Sequence, residues 1–317
     1  MMKERTLRVL EFTKIRDRLA SKAMTDMGRE RCEALVPSSN MTEIQRMQAE
    51  TEEATVILQY VGASPLVPFS DVRASLTLAE KGATLSPKAL LEVAALMQSA
   101  RAARKALDTE RDNTPILKEL AQRLSTLHNV EQDITNAIIS EDEIADRASN
   151  ELMDIRRHLR GANERIKEKL NQMIRSSAFQ KYLQDPIVTM RNDRYCLPVK
   201  AEYRGSVPGL VHDQSSTGAT LFIEPMAAVE MGNELKTWAA KEKQEIERIL
   251  AALSAEIAPY ADQLRETVET LAELDYIFAK GMLSREMNAV SPKLNQNGYI
   301  NICLLYTSDA ADEARSV

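Results

Sequence analysis

The stretch PIVTMRNDRYCLPVKAEYRGSVPGLVHDQSSTGATLFIEP, residues 186–225, decides the fold of this chain, because it is the one part with strand character. Its β-branched and aromatic residues come in short runs, and turn residues rich in Asn, Asp and Gly separate them. This pattern predicts a small antiparallel sheet with strands at 187–190, 195–199, 207–211 and 219–223. Pro198 and Pro208 should lie at edges or bulges, since proline cannot donate to a ladder.

A long helical pattern flanks this stretch on each side. Before it, residues 143–184 read as one nearly unbroken helix, whose 42 residues would span about 63 Å. After it, apolar residues recur at steps of three or four from Ile246 to Met282, and Pro259 should kink this helix without ending it. Because the chain leaves and returns through the sheet, we expect two antiparallel arms whose apolar stripes pack like a coiled coil, with the sheet at their tip.

The chain up to about residue 140 predicts a compact helical domain. Caps and prolines divide it into short helices. The expected helices cover residues 6–20, a segment between Thr25 and Pro37, residues 42–60 with an end at Gly62, residues 88–107 after Ser86-Pro87, and residues 116–127 after Thr114-Pro115.

The composition indicates a mainly α protein. Its 317 residues are 44% hydrophobic and 28% charged but only 4% aromatic, which suits long solvated helices. The net charge of −6 excludes a general attraction to nucleic acid. Residues 151–210, however, carry 12 Lys and Arg against 7 Asp and Glu, a charge of +5 that leaves −11 for the rest. Such a basic end suits contact with phosphate, and solvated helix faces are the alternative interpretation.

The cysteines and the N-terminus favour the cytoplasm. Cys32, Cys196 and Cys303 are odd in number, far apart and without the spacing of metal ligands. The start MMKERTLRVLEF lacks the apolar core of a signal peptide, and no run is long enough to cross a membrane. We expect a cytoplasmic protein without a membrane partner.

The sequence contains no motif for catalysis or cofactor binding. It lacks the phosphate-binding loop, the dinucleotide fingerprint and the zinc-protease motif. His212-Asp213 is close to Ser215, but all three fall within one strand and turn, so we interpret them as the hydrogen-bonded end of a hairpin rather than a catalytic triad. We therefore predict no catalytic, cofactor-binding or metal-binding residue. Glu224, before the second arm, should accept hydrogen bonds from helix N-terminal amides.

The basic residues of the predicted sheet are the candidate nucleic-acid contacts. Arg191, Arg194, Lys200 and Arg204 would meet phosphates if the sheet is a contact surface. The alternative is that they are solvated loop charges.

The last residues, CLLYTSDAADEARSV at 303–317, differ in character from the rest. Read back into codons as TGT CTC TTA TAC ACA TCT, their first six residues match the end of a transposase-based sequencing adapter. We therefore interpret 303–317 as adapter sequence, and we expect the natural protein to continue differently after residue 302.

Two runs resemble a known family. RNDRYCLPVKAEYRG at 191–205 and GLVHDQSSTGATLFIEP at 209–225 resemble the clamp segment of the second bacterial branch of the MutS proteins, the recombination-suppressing endonuclease MutS paralogues. The opening TLRVLEFTKIRDRLA at 6–20 resembles the start of that branch, and the likeness extends over about residues 5–302. The resemblance implies a helical core domain at 1–140, a first lever helix at 141–185, a β-rich clamp at 186–225, a returning lever helix at 226–290, and the start of an ATPase domain at 291–302 with a strand at 298–302.

The resemblance also implies functions for the longer protein. In the family, an ATPase domain that uses ATP and Mg drives formation of a homodimer, and a C-terminal Smr domain carries the nuclease. Neither active site falls within this chain, so we expect the chain itself to be inactive. Three functions stay open: a lever and clamp that embrace branched or duplex DNA by backbone contacts to suppress recombination, a rescue factor that splits stalled or collided ribosomes by contacting ribosomal RNA and protein, and a structural helical module.

Overall fold

The structure, a computed structural model, describes residues 4–108, 113–299 and 301. It is mainly α, as the composition predicts. The interpretation of 303–317 as adapter sequence lies outside the described residues. The helices are α1 (Glu4–Val9), α2 (Phe12–Ala20), α3 (Asp26–Glu33), α4 (Met41–Val61), α5 (Arg73–Glu80), α6 (Pro87–Leu107), α7 (Pro115–Gln122), α8 (His128–Ala137), α9 (Asn150–Arg175), α10 (Ser177–Gln180), α11 (Met226–Ile257) and α12 (Ala261–Glu286).

Local caps set the boundaries of the first helices. The Thr25 side chain accepts a hydrogen bond from the Gly28 amide at the start of α3, and the Ser86 side chain caps α6 in the same way. Gly62 ends α4 in the left-handed region, with φ of 82°. These predictions are confirmed. The single helix expected at 6–20 is wrong, because Glu11 adopts a φ of 51° and separates α1 from α2.

Three further helices before residue 140 differ from the prediction or were not predicted. The predicted helix at 116–127 ends earlier, at Gln122, and the sequence patterns did not indicate α5 or α8. A short hairpin of β1 (Ile138–Ser140) and β2 (Glu143–Ile144) follows α8. We call the part formed by α1 to α8, this hairpin and α12 the body.

The first arm is shorter than predicted. Helix α9 begins at Asn150, where Ser149 accepts a hydrogen bond from the Leu152 amide, and ends at Arg175. The hairpin and a 3-10 turn occupy the residues before it, so the unbroken helix expected at 143–184 is wrong at both ends. The 26 residues of α9 correspond to about 39 Å.

The second arm returns beside the first in the opposite direction. Ser149 bonds to Glu245, Arg156 to Glu242 and Arg165 to Glu234, so residue numbers rise along α9 as they fall along α11. The predicted antiparallel arms are confirmed. Pro259 lies in a 3-10 turn at Ala258–Tyr260, beyond which the chain continues as α12, so it interrupts the helix without ending its path.

The apolar stripe of the second arm packs into the body. From Ile246 to Met282 its residues belong to the body core or pack against it, and α9 contributes only Leu152, near its start, to that core. The prediction that the whole stripe packs on the first arm is therefore wrong, because α9 begins only where α11 leaves the body. The body core contains Ile57, Leu90, Met97, Leu253, Leu264, Val268, Leu271 and Phe278.

A four-stranded antiparallel sheet lies at the far end of the arms, as predicted. Its strands are β3 (Thr189–Arg191), β4 (Arg194–Lys200), β5 (Gly209–Gln214) and β6 (Thr220–Pro225), in the order β3-β4-β6-β5. We call it the tip sheet. A second core joins it to the arms, formed by Ile166, Leu170, Leu183, Tyr195, Leu197, Val199, Val207, Ile223 and Ala228.

The prolines of the sheet are accommodated without a lost ladder bond. Pro198 lies in the inner strand β4, where it pairs with Phe222 of β6. Its carbonyl accepts from the Gln184 amide on the side away from β6, beyond the last pair that β3 makes with β4. Its nitrogen faces the same side, so Pro198 removes no bond between β4 and β6. The expected edge position of Pro198 is wrong, because residues 182–184 pair with β4 on that side. Pro208 precedes the edge strand β5.

The described residues at the C-terminal end contain no further strand. The strand expected at 298–302 falls partly outside the described residues, and residues 298, 299 and 301 have no regular structure. The domain boundaries stay predictions.

Candidate nucleic-acid interface

Charged and polar side chains fix the tip sheet to the second arm. Arg194 donates through Nη1 to Glu224 Oε1 (3.1 Å) and through Nη2 to Asn233 Oδ1 on α11 (2.8 Å). His212 Nε2 lies 2.8 Å from Glu224 Oε2. The Glu224 carboxylate is fully buried, whereas the side chains of Arg194 and His212 are 14% and 20% exposed. We call these four residues the tip network; Glu224 serves it instead of capping a helix, which corrects the expectation from sequence.

Two glycines make room for the tip network. A Cβ at Gly232 of α11 would lie 2.5 Å from Glu224 Oε1 and 2.9 Å from Arg194 Nη1. A Cβ at Gly209 would lie 2.2 Å from the Glu224 carbonyl oxygen. Both distances are shorter than real contacts, so each position requires glycine for the sheet and the arm to approach this closely. Sequence reasoning missed both, because the need depends on residues distant in the chain.

Arg191 is held across the sheet. Its Nε lies 3.2 Å from Asp213 Oδ2, and its guanidinium carbon lies 4.1 Å from the centre of the Phe222 ring. The side chain is 39% exposed. Its positive charge is therefore accessible but already has a carboxylate neighbour.

Lys200 and Arg204 lie at the other end of β4. Lys200 is half-buried, and its side chain forms no hydrogen bond or ion pair with the described residues. Arg204 donates to the carbonyl oxygens of Val207 (3.4 Å) and Gly209 (3.1 Å), which steadies the turn before β5. The structure thus brings Arg191 and Arg194 together as partners across β3 and β4, and places Lys200 and Arg204 apart from them. Phosphate contact by the four residues stays a prediction.

The segment with His212 and Ser215 forms the end of a hairpin, as interpreted from the sequence. His212 lies where the register of β5 shifts, and its ring meets Glu224. Ser215 Oγ accepts from the Thr220 amide (3.0 Å) across the turn. His212 and Ser215 therefore have structural partners in and next to the hairpin.

The cations of the basic segment divide into two groups along the molecule. Six have a carboxylate oxygen within 4.0 Å: Arg156, Arg157, Arg160, Arg165, Arg191 and Arg194. The other six form no ion pair with the described residues: Lys167, Lys169, Arg175, Lys181, Lys200 and Arg204. Five of the second group are exposed, and all six follow the middle of α9 or lie beside the tip sheet. Within this segment, the cations without a carboxylate partner therefore lie toward the tip.

Other chemistry is limited in the part of the chain that the structure describes. Burial raises the pKa of the Cys196 thiol to about 11, so this cysteine is a packing residue rather than a nucleophile. Within residues 4–108, 113–299 and 301, no group of three or more His, Cys, Asp or Glu could hold a metal ion. In the same ranges, no helix has the length and apolar character to cross a membrane.

The fold defines a class of mainly α proteins in which two long antiparallel helices carry a small sheet away from a helical body. No family model matches the chain. Curated relatives do: it is 48% identical over 303 residues to "Endonuclease MutS2" of Alkaliphilus oremlandii, and 46% identical over 306 residues to the protein of that name from Acetivibrio thermocellus. A third, from Symbiobacterium thermophilum, is 46% identical over 301 residues.

Each alignment covers 95% of this chain and 38% of the relative. The chain therefore belongs to the MutS2 branch of the MutS family, in agreement with the resemblance seen in its sequence. It spans about two fifths of the length of these relatives.

Proposed function

We propose that this chain is the DNA-contacting part of a MutS-type endonuclease that suppresses homologous recombination, in which the arms act as a lever and the tip sheet as a clamp on duplex or branched DNA. The concentration of unpaired cations at the tip is the observation that carries the proposal. The name of the relatives, "Endonuclease MutS2", supports action on nucleic acid. ATP and Mg binding, nuclease activity and the homodimer are proposed for a longer protein of the same length as those relatives.

Electrostatics favour the tip over the rest of the surface. A cation without a carboxylate partner can release the counterions of a phosphate when it binds DNA, whereas a paired one must first give up its neighbour. The body is acidic, since residues 4–149 and 261–286 carry 29 Asp and Glu against 22 Lys and Arg, a net charge of −7. DNA approaching this molecule is therefore repelled by the body and attracted to the tip, which fixes the orientation of binding.

The proposed contacts are to the sugar-phosphate backbone of the DNA and not to the edges of its bases. The six unpaired cations lie in the second half of α9, directly after α10, at the end of β4 and in the 3-10 turn that follows β4. No separate helix among them in the described structure is placed to enter a DNA groove. Such contacts position a protein on DNA without reading its sequence. A lever that binds in this way suits substrates defined by shape.

A charge-reversal pair tests the proposal. Lys181→Glu and Lys200→Glu change two unpaired cations at the tip, and Arg157→Glu makes the same charge change on α9 near the body, where Arg157 pairs with Asp154. Binding of duplex and junction DNA is measured against salt concentration. Each tip substitution should weaken binding and reduce the salt slope by about 0.9 per lost phosphate contact, while the control leaves the slope unchanged.

The outcomes separate the three functions. Equal effects of tip and control substitutions, or no DNA binding by the unaltered chain, would sink the proposal. Binding to purified ribosomes at matched salt, with tip substitutions that weaken it and no binding to DNA, would favour the ribosome rescue factor. Binding to neither would favour the structural module.

A further inference from the structure

A cluster of aromatic rings lies beside the unpaired lysines of the tip. The ring centres of Tyr182 and Tyr203 are 5.4 Å apart with planes at 58°, and those of Phe179 and Tyr182 are 5.9 Å apart and perpendicular. Lys181 Nζ lies 4.8 Å from the centre of the Tyr182 ring. The chain is only 4% aromatic, so three rings in contact form a local concentration. We call Phe179, Tyr182 and Tyr203 the aromatic platform.

The rings are only partly covered by the protein. All three pack against the core of the tip sheet but stay half-buried, so part of each remains in contact with solvent. The hydroxyls of Tyr182 and Tyr203 make no hydrogen bond with the described residues. Tyr195 differs, because it is buried in the same core and its hydroxyl donates to Asn163. A tyrosine whose hydroxyl needs no internal partner is one that faces water or a ligand.

The two lysines flank the platform. The Lys200 amide donates to the Tyr182 carbonyl (3.0 Å), which places the backbone of Lys200 beside that of Lys181 and Tyr182. The acids of this region, Asp185 and Glu202, are exposed and form no ion pair with either lysine in the described structure. Positive charge and aromatic surface therefore occur together without a neutralising partner.

We propose that the aromatic platform stacks an unpaired base of branched DNA, while Lys181 and Lys200 hold the adjoining phosphates. Aromatic faces beside cations match the two parts of a nucleotide, the base and the phosphate. In a continuous duplex each base is already stacked, so only an unpaired nucleotide, as at a fork or a flap, offers a free face. This inference rests on the proposed DNA-binding function and adds a substrate class, DNA with unpaired nucleotides.

The test compares a duplex with the same duplex carrying an unpaired DNA arm, with 2-aminopurine in that arm. Tyr203→Leu removes the ring but keeps apolar bulk, and Tyr203→Phe keeps the ring as the matched control. The unaltered chain and Tyr203→Phe should bind the forked DNA more tightly than the duplex and quench the 2-aminopurine. Tyr203→Leu should bind the forked DNA about tenfold more weakly, with unchanged duplex binding and no quenching.

Several results would overturn the inference. Quenching by Tyr203→Leu equal to that of the unaltered chain would remove the ring from the site, and a loss in Tyr203→Phe as large as in Tyr203→Leu would assign the effect to the hydroxyl. Preference for an arm of RNA over the same arm of DNA would give the platform a different substrate. Salt-dependent duplex binding without any preference for the fork refutes this inference alone, whereas failure to bind either DNA refutes the proposed function as well.

A second measurement keeps the test independent of folding. Lys181→Gln leaves all three rings in place and removes one charge, so it should weaken binding to both DNAs and still allow quenching at saturation. Amide exchange of β4 and β6 shows whether each variant keeps the tip sheet. A variant that keeps the sheet and the unaltered preference for the fork, despite losing the Tyr203 ring, would be decisive against stacking.

Discussion

Replacement of Glu224 by glutamine should open the tip sheet without unfolding the body. The Glu224 carboxylate is fully buried and has two partners, Arg194 and His212. Glutamine keeps the shape and one acceptor oxygen but removes the charge that Arg194 faces. Breaking a buried ion pair by removing one partner costs about 3–5 kcal/mol, because the remaining charge is left without compensation.

The lower end of that range applies here. Arg194 keeps its hydrogen bond to Asn233 (2.8 Å), its side chain is 14% exposed, and glutamine can still accept from it. We expect a loss of about 3 kcal/mol in the local free energy of opening. Since about 1.4 kcal/mol corresponds to a factor of ten, amides of β4 and β6 should exchange hydrogen somewhat more than 100-fold faster.

Amide exchange followed by mass spectrometry measures this directly, with peptides from α6 as the internal reference for the body. Glu234→Gln is the matched control, because it makes the same chemical change to the exposed pair with Arg165, whose side chains are 42% and 54% exposed. That variant should change stability by less than about 0.5 kcal/mol. The reasoning is refuted if Glu224→Gln leaves exchange in the sheet unchanged, or if α6 is accelerated as much as β6.

Further predictions concern packing and protonation. Gly232→Ala should destabilise the tip by about 1–3 kcal/mol, because the added Cβ would lie 2.5 Å from a carboxylate oxygen of the tip network. Gly161→Ala should instead stabilise α9 by roughly 0.5–1 kcal/mol, because the nearest neighbour of its Cβ would be 3.5 Å away. Urea unfolding measures both changes in stability. Burial lowers the pKa of Lys280 despite its partner Glu50. The unfolded chain therefore binds more protons between the lowered value and the ordinary one of about 10.4, so the free energy of unfolding should rise with pH in that interval, and Lys280→Met should remove the rise. The Cys196 thiol, with a pKa raised to about 11, should react with iodoacetamide at neutral pH only after urea opens the sheet.

Local signals in the sequence predicted the elements that local chemistry decides. Thr25 and Ser86 begin helices because a side-chain oxygen next to a free amide is sufficient, and Gly62 ends one because a positive φ favours glycine. The strands of the tip sheet followed from runs of β-branched residues between turns. Glu11, by contrast, adopts a left-handed φ, which a glutamate at that position does not predict.

Long-range relations were the part that the sequence did not reveal. The apolar stripe of the second arm has one period along its whole length, so periodicity could not show that the stripe packs into the body instead of along α9. For the candidate interface, sequence identified the basic segment but could not separate Arg194, which pairs with Glu224 30 residues away, from Lys200, which has no such partner. Charge type is visible in a sequence, whereas the partner of a charge depends on the fold.

Helix α11 connects the core of the tip sheet to the core of the body. Near its start, Ala228 is buried in the core of the tip sheet, and near its end Leu253 is buried in the body core. The two residues are 25 positions apart in one uninterrupted helix, a distance of about 38 Å, and a helix of this length transmits displacement better than a loop does. The tip network couples the sheet to this same helix through Asn233. Under the proposed function, a force that DNA exerts on the sheet would reach the body through α11. Pro259 lies in the 3-10 turn between α11 and α12, and there the helix would bend.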